Sequence, residues 1–362
     1  MTRELDIDPD IRRAKTLPSA VYHERAWWDR QRERLFPRTW HMFPLPEAPT
    51  EAGQVTPWIY LPRCLDEPLL LTRDEGGSMH CLSNVCTHRG NILVERPCTT
   101  RGIRCRYHGR RFGLDGCMLS MPEFEQAQGF PAPSDDLPRV PLEAWDRFWF
   151  ASLSPEHALA DLLEPMRERL DWLPWHAAKP FPSGCREYHV AANWALYCDN
   201  YLEGFHIPFV HPSLARALDY SAYRTELHPL GVLQIGVADS AEHAFEPPAS
   251  HPDHGQRIAG YYYWLFPCTM FNVYPWGVSI NIVLPLGPQR CKVVYQTWVW
   301  DPARHDTGAG SGLDEVEHED EVVVEACARG VRSRLYDRGR YSPTREQGVH
   351  HFHRLLARFL EG

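Results

Sequence analysis

Two cysteines and two histidines stand as Cys86-Thr87-His88 and Cys105-Arg106-Tyr107-His108, with sixteen residues between the motifs. Each motif follows a strand-like run, so each is expected at the tip of a loop where four side chains can converge. Two thiolates and two neutral imidazoles suit tetrahedral Zn²⁺, or a [2Fe–2S] cluster with cysteines on one iron and histidines on the other. Zinc sites usually group cysteine with cysteine and histidine with histidine. Here each loop offers one of each, so each loop can give one ligand to each iron. The mixed cluster fits better than zinc or a chance spacing.

Such a cluster stores one electron and does no chemistry on a substrate, and a ferredoxin needs only about a third of this chain. Two histidines and a carboxylate with open positions form the facial triad by which non-haem Fe(II) binds O₂. The stretch NWALYCDNYLEGFHIPFVHP, residues 193–212, offers these groups. At ~100° per residue, Asp199, Glu203 and His206 share one face of a continuous helix. His211 lies five positions on and would point away. Pro208 lies between and is expected to break the helix, swinging His211 back. Taken singly, each histidine is as readily a packed or surface residue.

The elements that carry these groups follow from periodicity. Residues 21–36 show a helical stripe of Tyr22, Ala26, Trp27, Arg30 and Leu35. PLLLTR and MHCLSN around Asp74-Glu75-Gly76-Gly77 read as a β-hairpin, as do RRFGL and CMLSM around Asp115-Gly116. RFWFASL closes this β-rich part, and Pro131, Pro133, Pro138 and Pro141 mark a connection within it. Further on, ALADLLEPMRERLDWL and NWALYCDNYLEGFH are amphipathic helix candidates, with strands expected at 231–238, 261–266, 278–284 and 292–300. Residues 239–256 are polar and Pro-rich, suiting an exposed loop or lid, and 314–332 and 344–360 read as helices. Cys81, Cys98 and Cys117 read as free thiols in or near the β-rich core. His350, His351 and His353 read as surface or supporting positions rather than ligands, and His243, His251 and His254 as solvated.

At 362 residues the chain has room for two domains of ~150 residues. Hydrophobic residues at 43% and charged residues at 23% support a sizeable core. Lys and Arg number 38 against 47 Asp and Glu, and the resulting −9 argues against a nucleic-acid scaffold. No apolar run approaches the ~20 residues of a membrane span. The charged start MTRELDIDPDIRRAK is expected to exclude a signal peptide or bilayer anchor. Eleven scattered cysteines suit a reducing compartment, so a cytoplasmic protein is expected.

The sequence CTHRG…CRYHG resembles the Rieske domain of the aromatic-ring-hydroxylating oxygenases. N-W…D-N-Y-x-E-x-F-H-x₄-H is similar to the mononuclear-iron motif of their catalytic α subunits, and the resemblance covers most of the chain. Rieske proteins of respiratory complexes carry an extra cysteine in each loop. This chain has Asn91, Arg106 and Tyr107 there and resembles the lower-potential oxygenase type. Arg110 stands where the family often has Trp, and is expected to alter the surface the cluster shows its partners. The resemblance implies Cys86, His88, Cys105 and His108 as [2Fe–2S] ligands, His206 and His211 as iron ligands, and a downstream aspartate as the third. In Glu319-Asp320-Glu321-Val322-Val323-Val324-Glu325 the match falls on Asp320, with Glu317 as rival and a solvated acidic face as the bland alternative. The apolar side of Val316, Val323 and Cys327 is expected to leave room for one inward acid.

The implied fold is α+β: a β-rich Rieske [2Fe–2S] domain at 45–154 and a helix-grip catalytic domain, antiparallel sheet with helices, at 155–362. An N-terminal helical segment at 1–44 is expected to pack on the catalytic domain. The implied activity is a monooxygenase that hydroxylates or oxidatively demethylates a small organic substrate with O₂ at a mononuclear non-haem Fe(II). Its electrons would come from a separate NAD(P)H-dependent reductase, with or without a ferredoxin, since no G-x-G-x-x-G follows a strand here. A dioxygenase that cis-dihydroxylates an aromatic ring is the runner-up. A Rieske electron carrier and a zinc protein are the other classes, separable by an absorption spectrum and an iron count. Glu203 stands where ring dihydroxylases typically carry Asp, which resembles the branch acting on small amines. In the family the corresponding acid bridges to a cluster histidine, His108 here, of a neighbouring subunit in a head-to-tail homotrimer; Asp199 is the substitute candidate. Pocket candidates are Phe205, Tyr263 in the Tyr261–Trp264 run, Phe271 and Trp276. Such a pocket suits a flat ring or a quaternary ammonium alike, although strand alternation turns half of these rings away. No nucleic-acid or membrane partner is expected.

Overall fold

The computed structural model describes residues 5–43 and 48–361. Its chain divides into two units, one formed by residues up to 41 and from 156 onward, the other by residues 42–155. The domain boundary expected at 44/45 lies outside the described residues.

The 42–155 unit is built of short antiparallel strands. A four-stranded sheet runs in the order Met79–Ser83, Glu67–Arg73, Gln54–Tyr60, Cys98–Thr99, beside a three-stranded sheet of Ile103–Arg104, Arg111–Phe112 and Met118–Ser120. Both expected hairpins are present: Leu71 faces Cys81 in the first, and Arg111 faces Ser120 in the second. Val55, Leu70, Leu82, Phe112 and Leu137 form the core, which also encloses Cys86 and Cys105. Cys81 is buried as expected, but Cys98 is exposed and Cys117 only partly covered. Cys98 lies on a two-residue strand at the sheet edge, with both residues exposed.

The other unit wraps helices around one antiparallel sheet of eight strands. Seven of them run in the order Lys179–Pro180, Arg290–Val299, Gly277–Gly287, Thr269–Tyr274, Ile258–Leu265, Gly231–Val237, Arg224–His228, and Arg186–Val190 also pairs with Arg290–Val299. The strands at Thr269–Tyr274, Arg224–His228 and Arg186–Val190 had no counterpart in the periodicity. The helices are α1 (Arg25–Arg34), α2 (Leu159–Leu170), α3 (Trp194–Tyr201), α4 (Ile207–Val210), α5 (Pro212–Ala217), α6 (Leu313–Gly330) and α7 (Gln347–Glu361). Among the described residues no helix is long and apolar enough to cross a membrane.

Aromatic packing fixes α3 and α7 on the sheet: Phe352 meets Trp194 and Trp264 edge-on at 5.8 and 5.1 Å. Close approach is allowed by Gly348, where a Cβ would lie 2.4 Å from the Leu202 carbonyl oxygen. On α7 the expected stripe of Val349, Phe352, Leu355, Leu356 and Phe359 is buried, but so are His350 and His353. The surface reading of these two histidines is therefore wrong. His350 Nε2 donates to the Asp8 carbonyl at 2.8 Å, because the N-terminal segment covers that face. His251 is also buried rather than solvated, donating from Nε2 to the Arg169 carbonyl at 2.7 Å. With Asp253 buried against Arg169 and Arg224, it ties the 239–256 loop down, so this loop is no free lid.

Candidate functional site

The two cysteine–histidine loops have the same backbone form. Cys86 N donates to Asn91 O at 2.9 Å and Gly90 N to Cys86 O at 3.0 Å; Cys105 N donates to Arg110 O at 2.8 Å and Gly109 N to Cys105 O at 3.1 Å. Gly90 and Gly109, each four residues past its cysteine, have φ of 68° and 77°, a conformation costly for any side chain. The paired loops bury both cysteines and leave His88 half-buried and His108 exposed. Their imidazoles meet with Nδ1 atoms 3.1 Å apart. Burial raises the Cys86 thiol above its usual range. For Cys105 burial acts in the same sense, but the backbone N–H groups of Tyr107 and His108 outweigh it and lower the thiol. Among the described residues, the one group of three or more His, Cys, Asp or Glu with ligand atoms all within 4.8 Å is elsewhere. Two thiols and two imidazoles in separate pairs suit two irons, not one tetrahedral ion.

That one group is His206, His211 and Asp320. Asn193 caps α3 by accepting from Ala195 N at 2.9 Å, but the helix stops at Tyr201 instead of running to His206. The Glu203 carboxylate takes the backbone N–H of Phe205 and of His206 (3.0 Å for the latter), a local bond that competes with helix. Gly204 is needed in the turn, since a Cβ there would lie 2.7 Å from the Tyr223 ring. Pro208 does not cause the break; it sits at the start of α4, where proline is tolerated. The chain turns at His211 itself, with φ −115° and ψ 79°, because the residue before Pro212 is pushed out of the helical region.

Both histidines present Nε2 to one carboxylate: His211 Nε2 lies 3.0 Å and His206 Nε2 3.5 Å from Asp320 Oδ1. Their Nδ1 atoms face other acids, Glu203 Oε1 at 2.8 Å and Glu319 Oε2 at 2.7 Å. Nδ1–H donation of this kind fixes the tautomer and leaves Nε2 free for a metal. Burial pulls the His211 imidazolium down, yet the hydrogen bond and charge of Asp320, then Glu319, outweigh it and hold it above its usual range. The place attracts a cation, and the donor set fits iron. Glu319 was in the motif but went unassigned. Asp199 is elsewhere, accepting from Tyr22 OH at 2.7 Å and His353 Nε2 at 2.8 Å, and does not reach the cavity.

A cavity of about 90 Å³ opens on these donors, lined by Tyr197, Tyr201, Tyr223, Tyr262 and Tyr274 among others. None of the four expected pocket residues lines it. The cause is parity. Tyr263 pairs with Phe271 on the sheet face under α2, where the Tyr263 hydroxyl donates to Pro165 O at 3.3 Å, whereas the adjacent pair Tyr262 and Asn272 faces the donors. Trp276 is buried one layer out, stacked on Tyr274 at 5.2 Å, and Phe205 is 42% exposed. On α6 the inward positions are Leu313, Val316, Glu317, Asp320, Val324 and Ala328, and Cys327 is exposed. Two acids therefore point inward, not one. Glu317 accepts from Tyr197 OH at 2.9 Å and from Tyr295 OH, and its carboxyl is raised by burial, then by the Asp320 charge. Asn272 and Asn281, bonded to each other at 2.9 Å, complete the floor. A lone Asn in each of TMFNVY and VSINIVL was the available signal, since a buried amide needs partners.

Residues 182–362 match the family described as ring hydroxylating alpha subunit (catalytic domain), and residues 59–131 match the Rieske [2Fe–2S] domain. The chloroplastic choline monooxygenase of Beta vulgaris is 30% identical over 363 residues, covering 96% of this chain and 78% of that protein. The carnitine monooxygenase oxygenase subunit of Escherichia coli K12 is 27% identical over 369 residues, covering 95% of this chain and 93% of that one. A solved quaternary ammonium Rieske monooxygenase shares the fold, with a TM-score of 0.74 at 23% identity over 97% of this chain and 96% of that chain. The chain belongs to the α subunits of the Rieske non-haem iron oxygenases, oxidoreductases that carry a [2Fe–2S] cluster and a mononuclear iron and oxidise a small organic substrate with O₂ and electrons from a separate donor.

Proposed function

We propose that the protein is a monooxygenase of small quaternary ammonium compounds. The observation that carries this is the cavity lining: five tyrosines and the buried acid Glu317 beside His206, His211 and Asp320, with no lysine or arginine among the described lining residues. Tyr223 stacks on Tyr262 at 6.5 Å, Tyr262 meets Tyr274 edge-on at 5.9 Å, and Tyr274 stacks on Trp276. Electron-rich ring faces attract a cation that cannot donate hydrogen bonds. Choline and carnitine, the compounds for which two relatives are named, both carry a trimethylammonium group.

In this reading Cys86, His88, Cys105 and His108 hold the cluster, and His206, His211 and Asp320 hold the iron. When bound, the iron supplies O₂ activation and the cluster supplies electrons. The protein's own groups do the rest. Glu203 and Glu319 keep the Nδ1 protons of His206 and His211 and so hold both Nε2 atoms inward. Ile207, Leu214 and Leu218 exclude water from the cavity. In a head-to-tail homotrimer, Glu203 links His206 to His108 of the next subunit. Electrons enter from an NAD(P)H-dependent reductase, with or without a ferredoxin, in the cytoplasm. Residues 45–154 form the Rieske domain, and residues 1–44 with 155–362 the catalytic part.

The cluster assignment has a spectroscopic consequence. His108→Cys replaces a neutral imidazole by a thiolate, which lowers the reduction potential and shifts the electron-paramagnetic signature toward that of an all-cysteine ferredoxin. An unchanged signature removes His108 from the ligand set. The cavity assignment is tested by substrate titration. Tyr262→Leu should raise KM for a trimethylammonium substrate about tenfold, while Tyr262→Phe, which keeps the ring face, should leave it within about twofold. Equal effects of the two substitutions contradict a cation held on the ring.

A further inference from the structure

Arg110, two residues beyond His108, lies inside the 42–155 unit with 2% of its surface exposed, so it does not alter the outer surface as the sequence suggested. Its guanidinium lies over the rings of Phe124 and Phe130, 5.8 and 5.3 Å from their centroids. Phe124 in turn meets His88 edge-on at 5.5 Å. Arg110 Nη1 donates at 2.7 Å to the hydroxyl of Thr87, the residue between Cys86 and His88, and lies 3.3 Å from Asp135 Oδ1. The Thr87 hydroxyl donates to the Asp135 carbonyl at 2.7 Å. The Arg110 side chain therefore joins one ligand loop to the other. Its Nε–H has no partner among the described residues.

A guanidinium stays charged in proteins, and burying one is expensive unless it is fully paired. Here one carboxylate stands against it, and the Asp135 side chain is 21% exposed, hence partly screened by solvent. A net positive charge is left beside the ligand loops.

We propose that Arg110 is a positioning residue that sets the cluster's potential, tying the two ligand loops together and making the cluster easier to reduce through its buried charge. Reduction adds an electron to the cluster, and a fixed cation in a poorly solvated interior stabilises the added negative charge. Asp135 works in the opposite sense. The inference rests on the cluster ligands assigned above, and the test separates the two.

The experiment is a spectroelectrochemical titration of the holoenzyme cluster at one pH, with the electron-paramagnetic signature recorded for each variant. Arg110→Gln should lower the midpoint, so that at the wild-type midpoint the ratio of reduced to oxidised cluster falls about tenfold, or about 59 mV for a one-electron couple. Asp135→Asn should move the midpoint upward, and Arg110→Lys should stay near wild type while keeping the mixed-ligand signature. Shifts of the same sign in Arg110→Gln and Asp135→Asn, or no shift in either, overturn the proposal. Should Arg110→Gln fail to assemble, an unmoved or lowered midpoint in Asp135→Asn overturns it alone. A wild-type signature without histidine ligation removes the ligand assignment, and this proposal with it.

Discussion

Glu203→Gln is expected to keep cluster and iron in place and yet cut substrate oxidation by on the order of 100-fold. The side chain does two things at once. One oxygen holds His206 Nδ1 at 2.8 Å, and the other accepts the backbone N–H groups of Phe205 and His206. Glutamine has the same shape but carries no charge, and its amide has one acceptor where the carboxylate has two. The amide oxygen can serve the turn's N–H groups or His206 Nδ1–H but not both, and the charged link that the proposed trimer places toward a neighbouring cluster is lost. Pre-reduced variant should hold its cluster electron when substrate and O₂ are added. Rapid reoxidation of that cluster, coupled to product, would leave Glu203 as no more than a support for His206.

Asp320→Ala should lose the mononuclear iron, and activity with it, while the red-brown cluster remains, because the two donor sets share no residue. Both Nε2 atoms converge on Asp320 Oδ1, so its removal leaves two imidazoles and no charge on the ion. Glu317→Gln should behave differently. Its carboxyl faces Tyr197 and Tyr295 rather than the histidines, so iron content should hold. Metal analysis and visible absorption on anaerobically purified proteins check both. Iron lost from Glu317→Gln and kept in Asp320→Ala would move the third ligand one turn along α6.

The sequence was most informative where chemistry depends on residue type and short spacing. Cys86 meets Cys105 and His88 meets His108 in two pairs, and His206, His211 and Asp320 meet although they span more than a hundred positions. What periodicity could not supply was orientation. The run Tyr261-Tyr262-Tyr263-Trp264 is aromatic at every position, so alternation gives no sign of which face is inward, and the choice of Tyr263 over Tyr262 fell on the wrong parity. On α6 nearly every position is acidic or aliphatic, so the inward stripe was set one residue off and Glu317 was missed as a second inward acid. Backbone breaks were misplaced for a similar reason: Pro208 is the conspicuous residue, but Pro212 acts on His211. His353 and His251 looked solvated because their partners, Tyr341 and the Arg169 carbonyl, are brought to them only by the tertiary fold.

The measurement that tests quaternary ammonium oxidation most directly is a single turnover of the reduced holoenzyme under ¹⁸O₂, comparing choline, its neutral carbon isostere 3,3-dimethyl-1-butanol, and an aromatic hydrocarbon. The cavity of tyrosine faces predicts a product from the trimethylammonium compound formed with one labelled oxygen atom, and at least tenfold less from the isostere of the same shape. Equal oxidation of the neutral isostere, or a ring diol carrying both labelled atoms as the main product, would contradict it.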